Sequence, residues 1–151
     1  ASFDAQLFNQ LITLMVQTSV DYSIFFRELS KIPDDISGLS KSFYNTLTDG
    51  LSEQWALWLK TWRSMLNSQE SIQKTAHMMQ QVNPKYTWRE WLVVPAYQQA
   101  GKGDFELVRE LQQVLTQPFD EQSCEIESKY YSLKPQAFFD AGGVSHYSCS
   151  S

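Results

Sequence analysis

Cysteine, proline and glycine are all scarce in this chain of 151 residues, which holds two Cys, five Pro and six Gly. The cysteines, Cys124 and Cys149, are too few for a disulfide-stapled scaffold. The glycines never reach the spacing of a phosphate-cradling loop. Gly101-Lys102-Gly103-Asp104 comes nearest, but it lies between helical patterns rather than after a strand and reads as a turn between helices. Charge is thin as well, with 19% charged residues and 12 basic against 17 acidic side chains, a net charge of −5. That acidic excess argues against a nucleic-acid partner, which needs a basic face to release counterions. No apolar run approaches the roughly 18–20 residues of a membrane span, so no membrane partner is expected either. Ala1-Ser2-Phe3-Asp4 lacks the cationic start and cleavage site of a secretory signal, and a cytoplasmic chain is the expectation.

Aromatics are plentiful: five Trp, seven Tyr and nine Phe make 14% of the chain, ample for a packed core of one-domain size. Their spacing is helical. Leu7, Leu11, Leu14 and Met15 recur at steps of three and four, with Ser2 as the candidate N-cap. Thr18-Ser19 marks a break and a second capping site before a helix carrying Tyr22, Phe25, Phe26 and Leu29, which Pro33-Asp34-Asp35 ends. Ser37 to Gly50 reads as loop with room for one short helix around Leu39–Leu47. From about Ser52, Trp55, Trp58, Leu59, Trp62, Met65 and Leu66 share one helical face, a stripe that core packing explains better than a ligand groove. A polar helix follows over Gln69–Gln81, stopped by Asn83-Pro84. Tyr86–Ala100 is helical by pattern, with a kink or fresh start at Pro95. Asp104 suits the next N-cap, and Leu107, Val108, Leu111, Val114 and Leu115 form the last stripe before Pro118.

After Phe119 no helical period survives, and Tyr130, Tyr131, Phe138, Phe139 and Tyr147 are expected to pin this segment onto the helices. The expected fold is all-α: a small multi-helix bundle over residues 1–118 and an irregular, extended C-terminal arm over 119–151 packed on it as one structural unit.

Catalytic motifs are missing. His146 and Cys149 offer two zinc ligands at a spacing of three, with Cys124 as a third, but zinc needs three or four and nothing in the spacing enforces the set. The same pair could form a Cys–His nucleophile. An accessible tail thiol and an ordinary surface histidine are the plainer reading. Asp120, Glu121, Glu125 and Glu127 read as a solvated acidic loop, without the glycine-containing pattern of a calcium loop. No catalytic, cofactor or metal residue is assigned.

Taken in order, several segments resemble the C-terminal region of the selenoprotein O (SelO, also YdiU) family of protein adenylyltransferases. These are Asp21-Tyr22-Ser23-Ile24-Phe25-Phe26-Arg27-Glu28-Leu29-Ser30, the tryptophan helix ending Trp62-Arg63-Ser64-Met65-Leu66, and Val82-Asn83-Pro84-Lys85-Tyr86. Gly103-Asp104 with the following leucines, Gln117-Pro118-Phe119 and Ser148-Cys149-Ser150-Ser151 complete the series. Trp88-Arg89-Glu90 and Pro95 depart from the family pattern, and no role is carried over there. The resemblance implies a parent with a kinase-like domain that uses ATP and magnesium to transfer AMP to protein hydroxyls, its catalytic parts lying upstream. It further implies that this chain is a non-catalytic helical domain and that Cys149 corresponds to the family's terminal cysteine or selenocysteine, which can pair with a cysteine of the kinase-like domain. A bridge between Cys149 and Cys124 is the rival pairing. Expected partners are the upstream domain or a second copy of the fragment. A stand-alone helical interaction module is the alternative, and a small Cys149 enzyme a distant third.

Overall fold

The computed structural model describes residues 4–66 and 68–139. It is all-α, with helices α1 (Ala5–Thr18), α2 (Tyr22–Leu29), α3 (Asp49–Ser64), α4 (Gln69–Val82), α5 (Glu90–Ala100), α6 (Glu106–Thr116) and α7 (Cys124–Tyr130). Short 3-10 turns occupy Ile36–Ser42 and Gln136–Phe138. Among the described residues the β structure is one isolated antiparallel bridge, Val20 with Phe43. The chain divides into two compact units, Ala1–Asn83 and Pro84–Ser151.

In the first unit the elements begin where side chains satisfy orphan N–H groups. Ser2 lies outside the described residues, and Asp4 caps α1 by accepting from the Leu7 N–H at 3.0 Å. At the break after α1, Ser19 takes the left-handed conformation (φ 53°) and ends the helix. Asp21, rather than Thr18 or Ser19, caps α2 through the Ile24 N–H at 3.0 Å, and its own N–H donates to the Ser42 carbonyl at 2.8 Å. The start of α3 also moves, from Ser52 to Asp49, because Thr48 caps it and tolerates Gly50 in the first turn.

The core of this unit is aromatic. Phe25 and Trp55 are both fully buried, their ring centroids 5.3 Å apart. Trp55 and Trp58 meet edge-on at 6.0 Å, and Trp62 stacks on Trp58 at 6.1 Å. Leu7, Leu11 and Leu14 of α1 and Leu39 of the 3-10 turn close around them. Trp58 Nε1 donates to the Leu7 carbonyl at 2.9 Å, joining α3 to α1 across 51 residues. Gly38 is there for space: a Cβ on it would fall 2.4 Å from Cβ of Pro33.

The second unit is built around Tyr86, Val93, Ala96, Leu111, Val114, Tyr130 and Tyr131, all buried. Its first helix starts later than its pattern implied. The N–H groups of Lys85 and Tyr86 are taken by the Pro118 carbonyl (2.8 and 3.1 Å), so α5 opens only at Glu90. No fresh start occurs at Pro95, and α5 runs on to Ala100. Proline there withholds one hydrogen bond, to the Trp91 carbonyl, and the packed Val93, Val94 and Ala96 keep the helix intact. Asp104 sits one residue early, with Phe105 at the cap position and Asp104 Oδ1 accepting from the Glu106 N–H at 3.0 Å. A helix also stands where none was expected. α7 is only seven residues long, too short to show a period, and is set by Ser123 capping the Ile126 N–H and by Glu125 and Glu127 in the first turn. Tyr130 and Tyr131 are buried as expected, and Phe138 lies 6.2 Å from Trp91, whereas Phe139 is exposed; Tyr147 lies outside the described residues.

Removing the indole donor tests the α1–α3 junction. Trp58→Phe should lower the unfolding free energy by about 1–2 kcal/mol in urea titration, from the lost bond and the smaller ring left in the core. Phe25→Ala should cost about 3–5 kcal/mol, the usual range for an emptied aromatic site.

Candidate functional site

Three cations hold the non-helical segments, and they fall in the segments singled out in the sequence. Arg27 of α2 is buried and donates through Nη1 to the carbonyls of Gln80 and Asn83, both at 3.2 Å. These carbonyls close the C-terminal end of α4, where partial negative charge accumulates and a guanidinium is favoured. Asn83 Nδ2 donates to the Met79 carbonyl at 2.9 Å and to Ser30 Oγ at 3.4 Å.

Arg63, near the end of α3, fixes the turn after α2. Its Nη1 donates to the carbonyls of Ile32 (2.5 Å) and Pro33 (2.9 Å), and its Nη2 to Asp34 Oδ1 at 2.6 Å. Ile32 has φ 51°, a left-handed conformation that a β-branched side chain adopts at a cost of about 1–3 kcal/mol. Burial of its side chain and the fork of Arg63 on its carbonyl hold it there.

Lys85 is the deepest charge of the second unit, its side chain 2% exposed. Its Nζ meets Glu127 Oε2 at 2.7 Å and Glu121 Oε2, and lies 5.1 Å from the Tyr131 ring centroid and 5.8 Å from that of Tyr86. Burial disfavours the ammonium, but the two carboxylates outweigh that and hold its pKa above the ordinary lysine value. Glu127 therefore lies on α7 rather than in the solvated loop that the sequence suggested, while Glu121 stays largely exposed in the segment before that helix and still reaches Lys85. They converge from either side of Ser123 onto one buried cation. On the other face of α7, Lys129 bonds both oxygens of Glu110 at 2.8 Å. That contact raises the Lys129 pKa and lowers that of Glu110.

Cys124 is exposed, with a free thiol, as the first residue of α7. Cys149 and His146 lie outside the described residues. His77 is exposed on α4, its Nε2 3.0 Å from Gln81 Nε2. Among the described residues no three His, Cys, Asp or Glu side chains converge as a metal site, and no helix is long and apolar enough to cross a membrane. Sequence reasoning missed Lys85. The signal was a lysine directly after Pro84 in a protein whose acidic residues cluster some 36–42 positions later.

A family model described as Protein adenylyltransferase SelO matches residues 1–116. The chain belongs to the SelO family. Among curated relatives, Protein nucleotidyltransferase YdiU of Stutzerimonas stutzeri is 37% identical over 123 residues, covering 79% of this chain and 24% of the relative. The YdiU proteins of Tolumonas auensis and Herminiimonas arsenicoxydans are 31% and 32% identical, each covering 98% of this chain and 29% and 28% of their own lengths. The chain thus spans about a quarter to three tenths of these SelO-family relatives.

Shortening Lys85 separates charge from packing. Lys85→Ala should destabilise the chain by about 2 kcal/mol, since it leaves Glu127 facing an emptied site, while Lys85→Met keeps the stem between the tyrosines and should cost less. The Lys129–Glu110 pair sets an acid-side dependence. Glu110 is lowered in the fold, so its contribution is full above the usual glutamate pKa of about 4.3 and is lost as pH falls through the folded value. In NMR titration of the Glu110 carboxyl, Lys129→Ala should move its midpoint upward.

Proposed function

We propose that this chain is the C-terminal helical part of a longer SelO-type protein nucleotidyltransferase, a scaffold that does no chemistry alone. The observation that carries this reading is where the family-like segments spend their polar groups. Asp21 caps a helix, Arg27 and Arg63 chelate carbonyls, and Lys85 is enclosed by carboxylates. Groups committed to such internal bonds are not available to bind a nucleotide. ATP, magnesium and the transfer of AMP to protein hydroxyls are assigned to the part of the longer protein beyond this chain. Its partner is that kinase-like part, in the cytoplasm, rather than a nucleic acid or a membrane.

Cys149 is proposed as a redox latch carried on the C-terminal arm. Its thiol and a second thiol of the kinase-like part form a disulfide, giving up two protons and two electrons to glutathione disulfide or a dithiol–disulfide oxidoreductase. Reduction frees the arm.

Immunoblotting of source-cell lysate tests the first statement. A band far heavier than 17.5 kDa is expected, and the protein in that band should transfer AMP from ATP with magnesium. A band at 17.5 kDa would instead favour a stand-alone interaction module. In the longer protein, Cys149→Ser should abolish the difference in transfer rate between oxidised and reduced samples. Non-reducing peptide mapping that found only a Cys124–Cys149 bridge would remove the latch.

A further inference from the structure

The solvent side of α1 carries no charge at all. Of its fourteen residues nine are exposed, from Ala5 to Gln17, and none is acidic or basic. The other long surface helices differ: α3 exposes Glu53 and Lys60, α4 exposes Glu70 and Lys74, and α6 exposes Glu106 and Arg109. Absence of charge is the compositional mark of the centre of an interface, where an ion would be stripped of water without a partner.

Two flanks of α1 share this property. One is apolar, with Val16 75% exposed, Ile12 38% and Phe8 43%, at steps of four along the helix. The other carries Gln6, Gln10, Thr13 and Gln17, which with Gln54 and Leu57 of α3 line a groove of about 970 Å³; the one charged side chain on its rim, Asp4, is engaged in capping α1. At 100° per residue the two flanks are centred about 130° apart around the helix.

We propose that this uncharged surface of α1, apolar flank and amide-lined groove together, is the seat of the remainder of the longer polypeptide, which covers it in the complete protein. The inference rests on the reading of this chain as part of such a protein. The curated relatives have about seven tenths of their length outside the region matched here, which supplies an occupant large enough to reach both flanks. A second copy packed helix to helix would cover only one stripe. The covering segment presents apolar side chains to Phe8, Ile12 and Val16. Opposite the glutamines it presents backbone or hydroxyl groups, because an amide both donates and accepts and leaves no ion to be neutralised.

Thiol labelling reads this directly. Val16→Cys and, separately, Ile12→Cys are placed in the longer protein with Cys124→Ser, Cys149→Ser and every other native cysteine replaced by serine, and maleimide labelling is timed in the folded and the urea-unfolded protein. Both substitutions fall at exposed positions, so the fold should tolerate them. Protection of about tenfold or more in the folded protein is the expected result, independent of protein concentration. Labelling of both sites as fast as in urea would overturn the inference while leaving the heavier band and AMP transfer intact. Protection that disappears on dilution would also overturn it, by making a second copy the occupant. A native polypeptide of 17.5 kDa would overturn the parent reading and this inference together.

Discussion

A cation taken out of water must be given back its oxygen ligands, and the connecting segments of this protein are shaped by that demand. The helices satisfy their own backbones, but the stretches between them do not. Arg27 takes the terminal carbonyls of α4, Arg63 takes those of Ile32 and Pro33, and Lys85 takes two carboxylates that approach from either side of Ser123. Each cation fixes a segment that propensity alone would leave undetermined. The difference in head group fits the task. The forked guanidinium grips adjacent carbonyls, whereas the compact ammonium fits between two tyrosine rings and two acids.

How much of this could be read from the sequence depended on the range of the interaction. The helices of the first unit announce themselves because Leu7, Leu11, Leu14, Trp55, Trp58 and Leu59 repeat at the helical period and all face one core. The Trp stripe was legible as core for that reason. The caps were less so: Asp4 and Asp21 act where Ser2 and Thr18-Ser19 were expected, and Thr48 opens α3 ahead of Ser52, since several capping residues crowd each break and tertiary packing chooses among them. α7 escaped because seven residues carry too few turns to show a period. The Lys85 cluster escaped because its members lie 36 and 42 residues apart. No spacing rule brings such residues together; only the fold does.

Membership of the SelO family gives these clasps a setting. The segments that resemble the family are the ones in which Arg27, Asn83, Lys85 and Pro118 work, as donors to carbonyls, as a cation among carboxylates, or as a carbonyl that accepts two N–H groups. Recurrence of a motif therefore need not signal chemistry at that motif. Here a short recognisable string marks a place where the backbone is tied.

α7 has a consequence of its own. Seven residues cannot sustain a helix unaided. This one is moored by Glu127 to Lys85 and by Lys129 to Glu110, with Tyr130 buried as its keel. The Lys129–Glu110 mooring has both partners partly in solvent, within reach of dissolved ions, while at Lys85 the cation itself is buried. Rising salt weakens the outer tie first, because screening acts on exposed charge. The helix then answers to ionic strength in two stages: an end that loosens readily, and a root that holds until the core around Tyr86 and Tyr131 gives way.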